Sequence, residues 1–350
     1  MRGGSAGGDE DGGAVELILD CDPGHDDAVA LLLAVADPDC RGGGRAPVTT
    51  PILLDCDPGH DDAIALLLAL GSDEVELRGV TTVAGNQTLE KTTANAIRVL
   101  ELVGRGDIPV AAGAERPLVR EPRVAANVHG ETGLDGPDLP PPRALPDGEH
   151  AVDFLAGRIA GTTLVATGPL TNVALLLARH PQARPERIVL MGGAVAEGNV
   201  TPAAEFNIWA DPEAAARVFG SGIDLTMVGL DVTHRALVTR AHAERLREAG
   251  RVGRVVAELL DFYGVFHREV YGFDGSPVHD AVAVAHVIDP TLLETRRLNV
   301  QVDTESRLCR GRTVVDVWER SGLEPNAHVA VGIDSERFLG LLHERLARLG

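Results

Sequence analysis

The chain has 350 residues, of which 44% are hydrophobic but only 3% aromatic. That is enough for one large α/β domain with a core of Val, Leu, Ile and Ala. With 32 basic and 52 acidic residues the formal charge is −20, a field that repels polyanions such as nucleic acid and that attracts divalent cations wherever acids cluster.

No apolar run reaches the roughly 18 residues of a membrane span. The Gly-rich, acidic start lacks the basic region of a secretory signal. Cys21, Cys40, Cys56 and Cys309 form no CxxC pair, so neither a zinc site nor a redox motif is expected, and reduced thiols in the cytoplasm are the default.

The first feature along the chain is a duplication. Residues 17–36 (LILDCDPGHDDAVALLLAVA) and 52–71 (ILLDCDPGHDDAIALLLALG) agree at 15 of 20 positions, offset by 35. A single repetition is not a solenoid. Each copy reads as strand, tight turn and buried helix, and the Gly-, Pro- and Thr-rich residues between them read as a linker. Only the second copy runs directly into a further strand, at 75–84. The working site is therefore expected there, with 1–50 an N-terminal extension and 51–350 one domain.

Downstream, helix is expected at 88–103, strand at 108–112, and a long Pro- and Gly-rich loop at 114–150, a length that usually marks function or mobility. Strands at 163–166, 187–191 and 224–230 alternate with helices at 172–179 and 212–219. Two helices follow within 240–270, then a helix at 278–287. Strand segments near 298–302, 313–317 and 328–331 precede a closing helix at 335–348. This alternation predicts an α/β fold: a mainly parallel sheet with a Rossmann-like core and helices on both faces.

In such sheets sites form at the carboxyl ends of strands. That rule collects Asp55, Asp57, Asp61 and Asp62 after the first strand, Asn86 after the second and Thr167 after the fourth. Asn199, Glu205 and Asn207 follow the fifth, and His279 and Asp280 open a late helix. Each has a plainer reading. Asp61 and Asp62 suit a helix N-terminus, and His279-Asp280 can be a cap beside an exposed histidine. His129 alone reads as a surface residue, Glu205 as solvated, and Thr171 as a helix cap. Capping explains one aspartate of the loop, however, not three, and hard oxygen donors point to calcium or magnesium.

Taken together, the segments DCDPGHDDA (55–63), TTVAGNQT (81–88), NVHGETG (127–133), ATGPLTN (166–172), VLMGGAVAEGN (189–199), AEFNIWADPEAA (204–215) and VHDAVAVAHVIDP (278–290) resemble the inosine–uridine-preferring nucleoside hydrolases. The resemblance runs in order from about residue 51 to the C-terminus. It implies hydrolysis of the N-glycosidic bond of purine or pyrimidine ribonucleosides, as in nucleoside salvage, by a calcium-dependent glycosidase that is a homodimer or homotetramer.

It further implies calcium held by Asp57, Asp62, the Thr167 carbonyl and Asp280, with Asp57 as general base toward water. Asp61 and Asn86 would hold ribose hydroxyls and water. Asn199, Glu205, Phe206 and Asn207 would grip the 5′ side, and Met191 would line the sugar pocket. His279, with a pKa near neutral, would protonate the leaving base, and His129 would face that base. One departure lies at 261–273 (DFYGVFHREVYGF): Tyr263 and Tyr271 are present, but His267 stands where a further aromatic is expected.

Two other readings compete. Asp55-Cys56-Asp57 has the spacing of a DxD phosphatase, although Lys91, the only lysine, lies inside a helix. A non-catalytic calcium-binding member of the same fold is the second.

Overall fold

Strands that are apolar on both faces need helices on both faces. The computed structural model describes residues Thr49–Gly350; the first copy of the duplicated segment, and nearly all of the expected extension, lie outside the described residues. The main sheet has eight strands: β1 (Thr50–Cys56), β2 (Val75–Thr82), β3 (Val110–Ala112), β4 (Thr163–Ala166), β5 (Arg187–Met191), β6 (Asp224–Val228), β7 (Leu293–Leu298) and β8 (Ala327–Ile333). Their order is β3-β2-β1-β4-β5-β6-β8-β7. Neighbours are parallel except β7, which runs antiparallel to β8.

Side chains alternate between two apolar layers. Ile52, Leu54, Val165, Val189 and Met191 face one. Leu53, Leu164, Ala166, Ile188 and Leu190 face the other, against Phe154, Val173 and Val218. This two-faced burial explains why the strands read as continuous apolar runs.

Two helices on the first face position the chemistry. In α1 (His60–Leu70) the residues from His60 to Ala69 are all buried, as are those from His279 to Val287 in α11 (His279–Ile288). A helix that is apolar all round must be covered all round, and these two cover each other. Their N-termini therefore meet, and the acids that open them, Asp61, Asp62 and Asp280, come together.

The strand order also creates the crevice. From β1 the chain winds outward through β2 to β3, and from β4 it winds the other way through β5 to β6. The switch between β1 and β4 leaves an opening at their carboxyl ends.

The expected strands at 163–166 and 187–191 and helix at 212–219 match β4, β5 and α7 (Pro212–Phe219). Other expectations shift. The strand placed at 224–230 stops at Val228, and Leu230 begins a short helix, α8 (Leu230–Thr233). The stretch 114–150 holds a helical turn, α3 (Ala126–His129), and is followed by an unanticipated helix, α4 (Ala151–Arg158). Both are too short for periodicity to identify. Among the described residues no helix is long and apolar enough to cross a membrane.

Leu67, fully buried in α1, tests the packing. Leu67→Ala should lower unfolding free energy by about 2–5 kcal/mol. Leu145→Ala, at a site 89% exposed, should change it by less than about 0.5 kcal/mol. Urea unfolding followed by circular dichroism measures both.

Candidate active site

β1 ends at Cys56, and the turn that follows drives Asp57 under the crevice, where it is fully buried. Its Oδ2 accepts the Asn86 backbone N–H at 2.6 Å, while its Oδ1 has no partner among the described residues. The turns after β2 and β4 close on this carboxylate through Gly85 and Gly168. A Cβ on Gly168 would stand 2.7 Å from Asp57 Oδ1, and one on Gly85 would overlap Oδ2. Only glycine allows so close an approach.

Asp62 accepts hydrogen bonds from Gly59 N (3.1 Å), Asn86 Nδ2 (3.0 Å) and Thr167 Oγ1 (2.8 Å). The capping reading is therefore right for Asp62 and incomplete: the same carboxylate also ties the ends of β2 and β4. Asp61, Asp62 and Asp280 bring one carboxylate oxygen each within 4.8 Å of one another, with Asp61 also beside Tyr263. Asp57 lies beside this trio, linked to it through Asn86.

Burial, then the Asp62 charge, pushes Asp57 well above the usual carboxylate range. The same two causes push Asp61 up to about 8. Burial, then the charges of Asp61, Asp62 and Asp57, raises Asp280. Four carboxylates packed this way repel one another until protons or a cation neutralise them. The crowding, the partnerless Asp57 oxygen and the all-oxygen donor set fit a hard divalent cation.

Above this floor lies a cavity of about 310 Å³, large enough for a small organic ligand. Asp61, Asn86, His129, Thr167, Met191, Asn199, Glu205, Phe206, Asn207, His279 and Asp280 all line it, whereas Asp57 and Asp62 lie beneath it. Residues spread over more than 200 positions thus converge on one rim.

Glu205 is not solvated. It caps α6 (Phe206–Ala210), accepting from Asn207 N and Ile208 N, and it also takes the Gly193 N–H. Burial pushes it up to about 6. Asn207 Nδ2 donates to the carbonyls of Thr167 (2.7 Å) and Met191 (3.1 Å), and Asn199 Oδ1 accepts from Phe206 N.

His129 is buried rather than at the surface. Its Nδ1 lies 3.1 Å from His60 Nδ1, and burial holds it well below the usual histidine range. His279 corrects an expectation. Its Nδ1 sits 2.7 Å from Thr233 Oγ1, and burial, with His234, His267 and His129 nearby, lowers its pKa well below neutrality. Thr171 is no helix cap either, because its hydroxyl donates to Asp211.

The far wall comes from α10 (Arg251–Tyr271) with Tyr263, Phe266, His267 and Tyr271, and from His234. Sequence reasoning missed His234, Phe266 and Trp209. His234 follows the carboxyl end of β6, so the rule that found the other residues could have found it. A larger space of about 730 Å³ lies between Leu89, Ile97, Pro117 and Leu145, but none of the expected site residues lines it.

Asp55 stays out of the cavity. Its Oδ1 accepts from Thr81 and Asn172, and Lys91 is engaged with Gln87 and the Glu131 carbonyl. A DxD nucleophile would need access that Asp55 lacks.

Comparison with known proteins agrees with this geometry. The family model described as inosine-uridine preferring nucleoside hydrolase matches residues 52–340. The chain is 53% identical over 339 residues to the pyrimidine-specific ribonucleoside hydrolase RihA of Shewanella sp. (strain ANA-3), covering 95% of this chain and 96% of that protein. It is 52% identical over 342 residues to RihA of Klebsiella pneumoniae, covering 95% and 99%. Among solved structures, a purine-preferring ribonucleoside hydrolase from Gardnerella vaginalis superposes with a TM-score of 0.81 at 36% identity, covering 86% of this chain and 99% of that one. With the sheet, the carboxylate floor and the cavity in accord, the chain belongs to the inosine-uridine preferring nucleoside hydrolase family.

Proposed function

We propose that this chain hydrolyses the N-glycosidic bond of ribonucleosides, pyrimidine ribonucleosides foremost, with calcium held at the acidic floor. The observation that carries the reading is the buried carboxylate set, with its partnerless Asp57 oxygen, directly beneath a cavity of nucleoside size. The pyrimidine preference is supported by relatives named pyrimidine-specific at 52–53% identity.

Asp57, Asp62, the Thr167 carbonyl and Asp280 would hold the calcium, whose coordination by several oxygens suits this donor set. When bound, the ion neutralises the carboxylates and makes water a stronger acid. Asp57 Oδ1 takes the proton of the attacking water. The water oxygen bonds to C1′, the C1′–N bond breaks, and its electron pair leaves with the base.

Asp61 and Asn86 orient the ribose hydroxyls. Met191, Asn199, Glu205, Phe206 and Asn207 hold the 5′ side. Positive charge developing on the sugar is stabilised by the surrounding acids. His279, steadied by Thr233, donates a hydrogen bond to the departing base, which takes its proton from solvent, and His129 faces the base. A cytoplasmic salvage role as a homodimer or homotetramer belongs to the same proposal.

Release of ribose from uridine, cytidine and inosine should be abolished by a calcium chelator and restored by added calcium. Activity that survives thorough calcium removal would refute the metal assignment. Asp57→Asn, close in shape, should lower kcat by roughly 10²–10⁴-fold with an unchanged circular dichroism spectrum; an undiminished kcat would rule Asp57 out as the base. A chain beginning at Thr49 should retain the kcat of the full chain, since every proposed site residue lies within Thr49–Gly350. An inactive truncation beside an active full chain would shift the site to the first copy of the loop.

A further inference from the structure

A second cavity, of about 350 Å³, shares no residue with the site above. It is lined by Arg98, Glu101, Arg143 and Arg251, with Gly104 and Gly106 at its edge. Arg98 and Glu101 lie on α2 (Leu89–Leu102), Arg143 on the Pro- and Gly-rich stretch, and Arg251 opens α10. Three arginines to one acid is an unusual balance in a chain of net charge −20. The nucleoside-sized cavity has the reverse, with Asp61, Glu205 and Asp280 against Arg123.

The three guanidinium groups are short of partners. Like charges around one space repel, and arginine, unlike a carboxylate, cannot relieve the repulsion by changing its protonation. The one acid is already engaged: Glu101 Oε1 accepts the backbone N–H groups of Arg143 (2.9 Å) and Ala144 (2.8 Å). Among the described residues none of the three arginines forms an ion pair. Arg98 Nη1 donates to Asn95 Oδ1 at 3.2 Å, and its Nε is shielded without a partner. Its Nη2 is neither bonded nor shielded, so it opens onto the cavity.

We propose that this cavity binds a phosphate monoester of sugar or nucleoside size, with Arg98, Arg143 and Arg251 holding the phosphate. A phosphate dianion offers several oxygens to forked donors, and such charge-assisted bonds are the strong ones. The volume exceeds what a bare anion needs and falls in the range of small-ligand sites. The same anion would be repelled by the acidic floor of the nucleoside cavity, so the two cavities sort uncharged from phosphorylated ligands. Binding would also tie α2, the Pro- and Gly-rich stretch and the start of α10 together.

The test is isothermal titration calorimetry on the full-length, calcium-loaded protein freed of unbound calcium. The probes are ribose 5-phosphate, inorganic phosphate and ribose. Wild type is compared with Arg143→Gln, Arg251→Gln and the double variant. Both side chains are exposed, so the substitutions should leave the thermal midpoint of the unliganded protein in place.

Ribose 5-phosphate should saturate one site on wild type and bind more tightly than inorganic phosphate. Each single variant should weaken it at least about tenfold, the scale of one hydrogen bond to a charged group, and the double variant about a hundredfold. Uridine kcat/KM should stay within twofold throughout, because neither arginine lines the nucleoside cavity. No saturable binding to wild type, or binding unchanged within twofold in the double variant, would overturn the site. Inorganic phosphate binding as tightly as ribose 5-phosphate would overturn the monoester assignment. Calorimetry decides these outcomes whether or not uridine is cleaved, so a failure of the hydrolase reading is seen separately.

Discussion

The structure depends on holding four carboxylates together out of water. Asp57, Asp61, Asp62 and Asp280 repel one another and are poorly solvated, a combination that costs free energy wherever it occurs. The fold offsets that cost locally. α1 and α11 point their N-termini at the group, where the helix dipole favours negative charge. Gly59, Asn86 and Thr167 donate hydrogen bonds to Asp62, and the Asn86 backbone donates to Asp57. What these donors leave uncompensated, notably Asp57 Oδ1, is a demand for a cation.

The architecture around this cluster follows from meeting that demand. α1 and α11 are apolar on every side, so that they can be buried against each other and the sheet. The switch between β1 and β4 leaves the crevice above them open. Gly85 and Gly168 let the neighbouring turns press against Asp57. The anionic floor is thereby assembled in advance, and in the proposed reaction it would receive a sugar developing positive charge without reorganising water.

The opposite wall has a different electrostatic character. His129, His267 and His279 are held below their usual range by burial and by neighbouring histidines. That shift favours uncharged rings on this wall. Each offers a directed N–H or a lone pair, so this wall is polar without being charged.

Much of this was legible in the sequence, for physical reasons. Continuous apolar runs identify strands buried on both faces, and polar residues placed just after them must stand at the carboxyl edge. Asp57, Asn86, Thr167, Glu205 and Asn207 were collected on that ground before any coordinate. The burial of Glu205 and His129 was not legible, because a lone acid or histidine reads as solvated until its neighbours are known. In the fold one caps α6 and the other packs on His60. The near-neutral pKa expected of His279 failed for the same reason, since burial is a property of the tertiary structure. α3 and α4 escaped because four to eight residues hold too few helical periods to declare themselves. The sequence by itself therefore determined the layered sheet and which residues reach its rim, because these follow from local periodicity and strand ends. Only the tertiary structure decided that α1 and α11 meet, that Asp57 keeps an oxygen without a partner among the described residues, and that His267 joins the cavity wall, because these depend on contacts between residues as far apart as Asp61 and Asp280.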